Sequence, residues 1–176
     1  MILETKRLRL RELTEEDRPG LCGILQDGAA MYAYEHAFSD REVDQWLARQ
    51  MDRYRREGFG LWAVIRREDG AFVGQCGLTL QEWDGRRVPE IGYLLQRRFW
   101  HNGYAAEAAA GCKRYAFDVL GLEAVYSIIR DGNLPSQRVA ERNGMRVVGR
   151  LVKHNYGMEM PHDVWGVSRE EDAGGK

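Results

Sequence analysis

Apolar and charged residues alternate along Arg7-Leu8-Arg9-Leu10-Arg11, which predicts a first strand with one buried face. In Thr14-Glu15-Glu16-Asp17 a hydroxyl stands three residues ahead of a carboxylate, the spacing with which a helix start satisfies its free N–H groups. The same spacing at Ser39-Asp40-Arg41-Glu42 opens a helix that should run to about Arg56. Along it Val43, Trp46, Leu47, Met51 and Tyr54 recur at helical period and read as core, and Gly58 and Gly60 end it. Three strand-like runs follow: Leu61 to Ile65, Phe72 to Leu80 and Val88 to Leu95. They are joined at Glu68-Asp69-Gly70 and Asp84-Gly85, so the expectation is an antiparallel meander.

The period then lengthens. Gly103 to Leu120 is an alanine-rich helical stretch that stops at Gly121, and Ala124 to Ile129 is a short apolar strand. Pro135 to Asn143 predicts a helix with proline in its first turn and Gly144 just past its end. Val147, Val148 and Leu151 mark another strand, and Val164 to Val167 a last one. The charged, glycine-bearing stretch 170–176 is expected to be a flexible tail. Without a repeat, linker or low-complexity block, residues 1–169 read as one α+β domain.

Composition narrows the function classes. The 176 residues carry 26 Lys+Arg and 27 Asp+Glu, a formal charge of −1, so no basic excess favours nucleic acid. No apolar run approaches the roughly 20 residues that span a bilayer, and the first residues lack the apolar core of a signal peptide. Cys22, Cys76 and Cys112 form no Cys-x-x-Cys pair, and His36, His101, His154 and His162 show no ligand spacing. Reduced thiols, a cytoplasmic location and no metal are the expectation.

The candidate chemistry lies where the meander meets the alanine-rich helix. Strand Glu90–Leu95 runs into Gln96-Arg97-Arg98-Phe99-Trp100-His101-Asn102-Gly103-Tyr104-Ala105, and the helix follows at once. Such a turn aims free N–H groups outward from the positive end of a helix dipole, which suits an anion. Gly103, Ala105 and Ala106 leave room above it, and Arg97 and Arg98 add charge; an ordinary capped helix would read the same way. The second feature, Asn133-Leu134-Pro135-Ser136, follows a strand and opens a helix, so Asn133 or Ser136 can act as its cap. Loops following neighbouring parallel strands lie at the sheet edge that ligands prefer.

Trp-x-x-Gly-Tyr-Ala-x-Glu-Ala at 100–108, Asn-x-x-Ser at 133–136 and Glu-x-x-Gly-Met at 141–145 together resemble the GNAT superfamily of acetyl-CoA-dependent N-acetyltransferases. With Leu-Glu-Thr-Lys-Arg-Leu-Arg-Leu-Arg at 3–11 and His162-Asp163-Val164, the chain looks like the RimJ/RimL-type branch, named for enzymes that acetylate protein N-terminal amines. The resemblance implies a mixed, largely antiparallel twisted sheet flanked by helices, with a V-shaped splay between two central strands. It implies acetyl-CoA as co-substrate, direct attack by a primary amine of a protein N-terminus or small molecule, and a homodimer as the common assembly. The alternative is an inactive member of the fold that binds an acyl-CoA or a partner.

Carried over by position, the amides of His101, Asn102, Gly103, Tyr104, Ala105 and Ala106 would hold the pyrophosphate, and Leu94, Leu95 and Gln96 would lie along the pantetheine. Asn133 and Ser136 would lie near pantetheine and sulfur, and Arg138 is a candidate for a coenzyme phosphate. A backbone N–H near Leu95 is a candidate oxyanion donor. Ser136 is the candidate acid for the leaving thiolate, with Tyr126 and Tyr156 as competitors, and Glu90 and Glu82 are candidate bases. Glu107 matches the branch motif but reads as a complement to the helix dipole. Tyr32, Tyr34, Glu35, His36 and the stretch 154–160 are expected to shape the acceptor pocket. The chain departs from the branch at His101, where glycine is usual, at Asn102, where a cation is usual, and at Arg97, where proline is frequent.

Overall fold

The computed structural model describes residues 1–34, 36–155 and 158–175, Asn155 by its backbone alone. Strands and helices follow in the order β1 (Leu3–Glu4), β2 (Leu8–Arg11), α1 (Arg18–Leu25), α2 (Asp40–Glu57), β3 (Leu61–Arg66), β4 (Phe72–Trp83) and β5 (Arg86–Leu95). They continue as α3 (Tyr104–Asp118), β6 (Ala124–Arg130), α4 (Leu134–Arg142), β7 (Arg146–Asn155), β8 (Met158–Ser168) and α5 (Arg169–Gly174). The eight strands hydrogen-bond in the order β1-β2-β3-β4-β5-β6-β8-β7. Pairing is antiparallel in β1–β2, β2–β3, β3–β4, β6–β8 and β7–β8, and parallel between β5 and β6. This is the mixed, mostly antiparallel α+β architecture expected from the sequence. No helix of the described residues is long and apolar enough to cross a membrane.

Two compact units divide the chain, Met1–Thr79 with Gly92–Cys112 and Leu80–Ile91 with Lys113–Lys176. In the first, α1 and α2 bury Leu21, Leu25, Val43, Trp46 and Leu47 with Leu13, Met31, Leu61 and Ala63, and Leu94 packs against that cluster. The Ser39–Glu42 capping box forms as predicted and fixes where α2 begins. The Trp46 indole N–H donates to the Gln75 carboxamide at 3.0 Å, and Tyr54 donates to the Leu61 carbonyl. Cys76 and Cys112 face each other as buried thiols 3.7 Å apart, and this contact together with burial pushes the Cys76 thiol up.

In the second unit β6 alternates, with Val125, Ser127 and Ile129 buried. Two elements here exceed the sequence expectation. β8 begins at Met158 rather than Val164: its register against β7 (Asn155↔Met158, Val152↔Pro161) extends it through Glu159, Pro161 and Asp163, residues of low strand propensity. Residues 170–174, expected as a flexible tail, belong to α5. Ser168 accepts from Glu171 N at 3.0 Å, Arg146 pairs with Glu171 at 3.1 Å and Lys113 with Asp172 at 2.7 Å. That Ser-x-x-Glu box is the same helix-start signal read correctly at Ser39.

β5 is pressed from one side by its neighbour in the first unit. A Cβ at Gly74 would lie 2.4 Å from the Leu94 oxygen and 2.7 Å from Leu95 Cα, both backbone atoms. Gly74→Ala should therefore lower stability by about 1–3 kcal/mol in urea unfolding, against a few tenths for Gly28→Ala, where a Cβ meets nothing within 4 Å. Equal midpoints for the two variants would contradict this close approach.

Candidate active site

The loop between β5 and α3 lies wholly within the first unit. Leu94 turns its carbonyl toward Gly74, and Gln96 N donates to the Val73 carbonyl at 2.9 Å. Leu95 therefore directs its N–H and C=O to the opposite side of the strand, where its carbonyl accepts from the Trp100 indole at 3.1 Å. A single tight turn, Arg97–Phe99, buries Phe99, and the Asn102 carboxamide donates to the Phe99 and Trp100 carbonyls at 3.0 and 2.9 Å. His101 (φ +64°) and Gly103 (φ +77°) are both left-handed, so the chain reverses before the first turn of α3. Glu107 N donates to the Gly103 carbonyl at 3.1 Å. The preceding amides, Gly103 to Ala106, have no intrahelical carbonyl behind them and aim outward as a donor set for an anion.

One carboxylate holds this loop in shape. Glu107, in the first turn of α3, accepts from the Thr5 hydroxyl at 2.5 Å, the Arg7 N–H at 2.9 Å and Arg7 Nε at 2.7 Å. Arg7 Nη1 donates to the Asn102 carbonyl at 2.9 Å, and its guanidinium lies 4.4 Å from the centre of the Tyr104 ring. Burial favours the neutral Glu107 acid, but the donors from Thr5 and Arg7 outweigh it and hold the carboxyl below its ordinary value. Sequence reading assigned Glu107 to the helix dipole and missed this lock. The signal was the joint presence of Thr5, Arg7 and Glu107.

The cations expected beside the loop have partners of their own. Arg97 pairs with Asp27 at 3.0 Å, and Arg98 donates to Gln96 at 2.9 Å while lying 4.4 Å from the Phe99 ring centre. Of the acceptor candidates, Tyr32 and Tyr34 are exposed, and the Tyr34 ring sits edge-on to Phe38 and Trp46 at 6.5 and 6.2 Å. Partial burial pushes the Tyr32 phenol up. His36 Nε2 lies 2.8 Å from Glu42, the residue that closes the α2 capping box. Glu35 and Tyr156 lie outside the described residues.

The remaining candidates lie in the second unit. Asn133 is the cap of α4, accepting from Ser136 N at 3.4 Å; Ser136 is half-buried in the first turn and Arg138 is exposed. Glu82 lines an open cavity of about 560 Å³ with Trp83, Asp84, Gly85, Arg86, Arg87 and Leu151. Arg86 donates to the Tyr126 hydroxyl at 3.4 Å, and the Tyr126 and Trp83 rings lie 5.7 Å apart. The Glu90 carboxylate accepts from Ile128 N at 2.6 Å. Among the described residues, no group of three His, Cys, Asp or Glu could hold a metal ion.

Residues 7–146 match the family described as the acetyltransferase (GNAT) domain. The chain belongs to the GNAT acetyltransferase family. It is 35% identical over 154 residues to the uncharacterized protein YkkB of Bacillus subtilis, covering 87% of this chain and 90% of that one. In fold it is similar to a GNAT-family acetyltransferase from Bacillus anthracis, with a TM-score of 0.83, 22% identity and coverage of 96% and 98%. It is also similar to RimL, the ribosomal L7/L12 alpha-N-protein acetyltransferase solved with coenzyme A, with a TM-score of 0.77, 17% identity and coverage of 97% and 99%. Within this GNAT chain, the match includes both Arg7 and Glu107.

Two predictions follow from the loop. Because the folded Glu107 is more acidic than the ordinary value of 4.5, it contributes stability above that pH and loses it as pH falls through the lowered value. Glu107→Gln should cost on the order of 1–3 kcal/mol at pH 7, and the gap from wild type should narrow below pH 4.5 in pH-resolved chemical denaturation. A gap independent of pH would contradict the lock. His101→Gly relieves a left-handed side-chain residue and should raise stability by about 1 kcal/mol, read as a higher melting temperature. A lower melting temperature would show that the imidazole makes a stabilising contact.

Proposed function

We propose that the chain transfers the acetyl group of acetyl-CoA to a primary amine, that of a protein N-terminus or of a small molecule, by direct attack. The observation that carries this reading is the β5–α3 loop. Arg7 holds the Asn102 carbonyl, so the exposed edge of the loop offers amide donors rather than acceptors. That donor set fits a pyrophosphate, and His101 to Ala106 are the residues assigned to hold it. Gly103 keeps the first of these amides approachable. The RimL neighbour, an alpha-N-protein acetyltransferase with bound coenzyme A, supports both the coenzyme and protein N-termini among the acceptors.

Acetyl-CoA supplies an activated thioester; the chain must bind it, polarise its carbonyl and manage two protons. Leu95 directs its N–H away from β4, as a donor to developing negative charge on the carbonyl oxygen must be directed. Ser136, in the first turn of α4, is assigned as proton donor to the leaving thiolate, with Leu94, Gln96, Asn133 and Arg138 assigned to coenzyme contact. Glu82, in the wall of an open cavity, is assigned to take the amine proton through water. Tyr32, Tyr34 and His36 are assigned to the acceptor side. Two copies of this chain are the proposed assembly.

The test is thiol release from acetyl-CoA with N-terminal peptides, polyamines and aminoglycosides as acceptors. Ser136→Ala should lower turnover by about 10²-fold while leaving the acetyl-CoA dissociation constant within a factor of three. Unchanged turnover would move the acid role to Tyr126 or Tyr156. Coenzyme binding without turnover on any acceptor would favour the inactive, acyl-CoA-binding alternative.

A further inference from the structure

The turn end of the β4–β5 hairpin, Leu80–Ile91, lies wholly in the second unit and carries an arginine with no place in the chemistry above. Asp84 and Gly85 make its two-residue turn, so Trp83 and Arg86 flank that turn as a facing pair on one side of the ribbon. The Arg86 guanidinium lies 5.7 Å from the centre of the Trp83 ring and 5.9 Å from that of Tyr126, and its Nη2 donates to the Tyr126 hydroxyl at 3.4 Å. The sheet makes room for both rings. A Cβ at Gly149 in β7 would overlap the Trp83 indole, and one at Gly166 in β8, the partner of Tyr126, would lie 2.9 Å from the Tyr126 ring. Two positions without side chains thus seat the rings, and the rings orient the guanidinium.

The charge of Arg86 is not neutralised within the chain. Arg150, whose carbonyl accepts from the Trp83 indole at 3.4 Å, is bound to Asp131 at 2.9 Å and Asp163 at 3.1 Å, and Arg146 to Glu171 at 3.1 Å. Among the described residues no carboxylate is set against Arg86. Glu82 and Arg87, the next pair along the hairpin, alternate to its other side, and Asp84 stands in the turn. The Tyr126 hydroxyl accepts from Arg86 and keeps its own proton to donate. Guanidinium and phenol are therefore two adjacent donors, and Trp83, Arg86 and Leu151 border the open cavity of about 560 Å³. A carboxylate, planar and with two accepting oxygens, matches the fork of an arginine whose plane is already held.

We infer that Arg86, held on Trp83 and Tyr126, is a specificity-determining residue that binds a carboxylate of the acceptor, so that acidic amines are favoured over polycations. The acceptor assignment rests on the acetyl-transfer reading above, in which Glu82 of the same cavity wall takes the amine proton; the carboxylate site itself rests on the hairpin geometry. A polyamine or aminoglycoside would bring like charge to the Trp83 side of the hairpin, where Arg86 already stands.

The experiment pairs acceptor kinetics with a spectroscopic titration. Among the amidated tripeptides Ala-Glu-Ala, Ala-Gln-Ala and Ala-Lys-Ala, kcat/KM should be highest for the glutamate peptide, about tenfold or more above the glutamine peptide, with the difference in KM. Arg86→Gln should bring the three within about threefold of one another at an unchanged melting temperature, since the side chain is exposed. Arg86→Lys keeps the charge without the fork and should fall between. Free amino acids, whose carboxylate neighbours the amine, form a second arm: turnover with the same dependence on Arg86 assigns a small acceptor, and its absence a peptide. In isotope-labelled protein without acetyl-CoA, the glutamate peptide should shift the Arg86 Nε–H and Trp83 indole resonances saturably, and the lysine peptide should not. Equal kcat/KM for the three peptides would overturn the inference. So would a preference that survives in Arg86→Gln, or a stronger resonance response to inorganic phosphate than to the glutamate peptide. If no acceptor is acetylated, the acetyl-transfer reading fails, and the resonance titration alone decides whether the carboxylate site exists.

Discussion

The Glu107 carboxylate is the constraint on which the rest of the β5–α3 loop depends. It sits at the positive end of α3, where negative charge is already favoured, and accepts from Thr5, the Arg7 amide and the Arg7 guanidinium. The guanidinium, fixed by that pairing and by the Tyr104 ring, still has a donor for the Asn102 carbonyl. The Asn102 carbonyl is thus held by a cation, and the amides that follow have no carbonyl of the helix behind them. Remove the carboxylate, and Arg7 loses the partner that orients it. The carbonyl, the turn at His101 and the start of the helix then lose a common reference point.

β5 carries a second set of constraints, each local. In the first unit Gly74 lets the Leu94 carbonyl approach, and the Leu95 carbonyl accepts from the Trp100 indole. In the second unit β5 and β6 share one parallel pair, Glu90↔Tyr126, beside which the Glu90 carboxylate accepts from Ile128 N and the Ser127 hydroxyl donates to the Ile91 carbonyl.

Elements written in local chemistry were legible in the sequence. The Ser39–Glu42 box, the Asp84-Gly85 hairpin, with φ of +53° and +72°, and the proline-started α4 fall where spacing put them. The first half of β8 was not legible because Glu159, Pro161 and Asp163 have low strand propensity, and its register is set by β7. The α5 box at Ser168 was masked by the charged composition around it. The site divides in the same way. His101 stood out as a non-glycine in a glycine position, and it is left-handed. The partners of Glu107 lie about a hundred residues away, as do many contacts that only a fold can reveal. Asn133 caps α4, as its place between a strand and Pro135 predicted. Glu90 was read by its acidity, whereas its position beside a ladder that ends could be seen only once β5 and β6 were paired.

The central claim is that the first turn of α3, held by Glu107 and Arg7, is an anion cradle for the coenzyme pyrophosphate. Calorimetric titration of coenzyme A against pantetheine, which lacks the pyrophosphate and nucleotide, tests it most directly. The account predicts saturable binding of coenzyme A and at least about a hundredfold weaker binding of pantetheine, the loss of some 3 kcal/mol of charge-assisted hydrogen bonds. Equal affinity for the two, or no binding of coenzyme A at millimolar concentration, would contradict it.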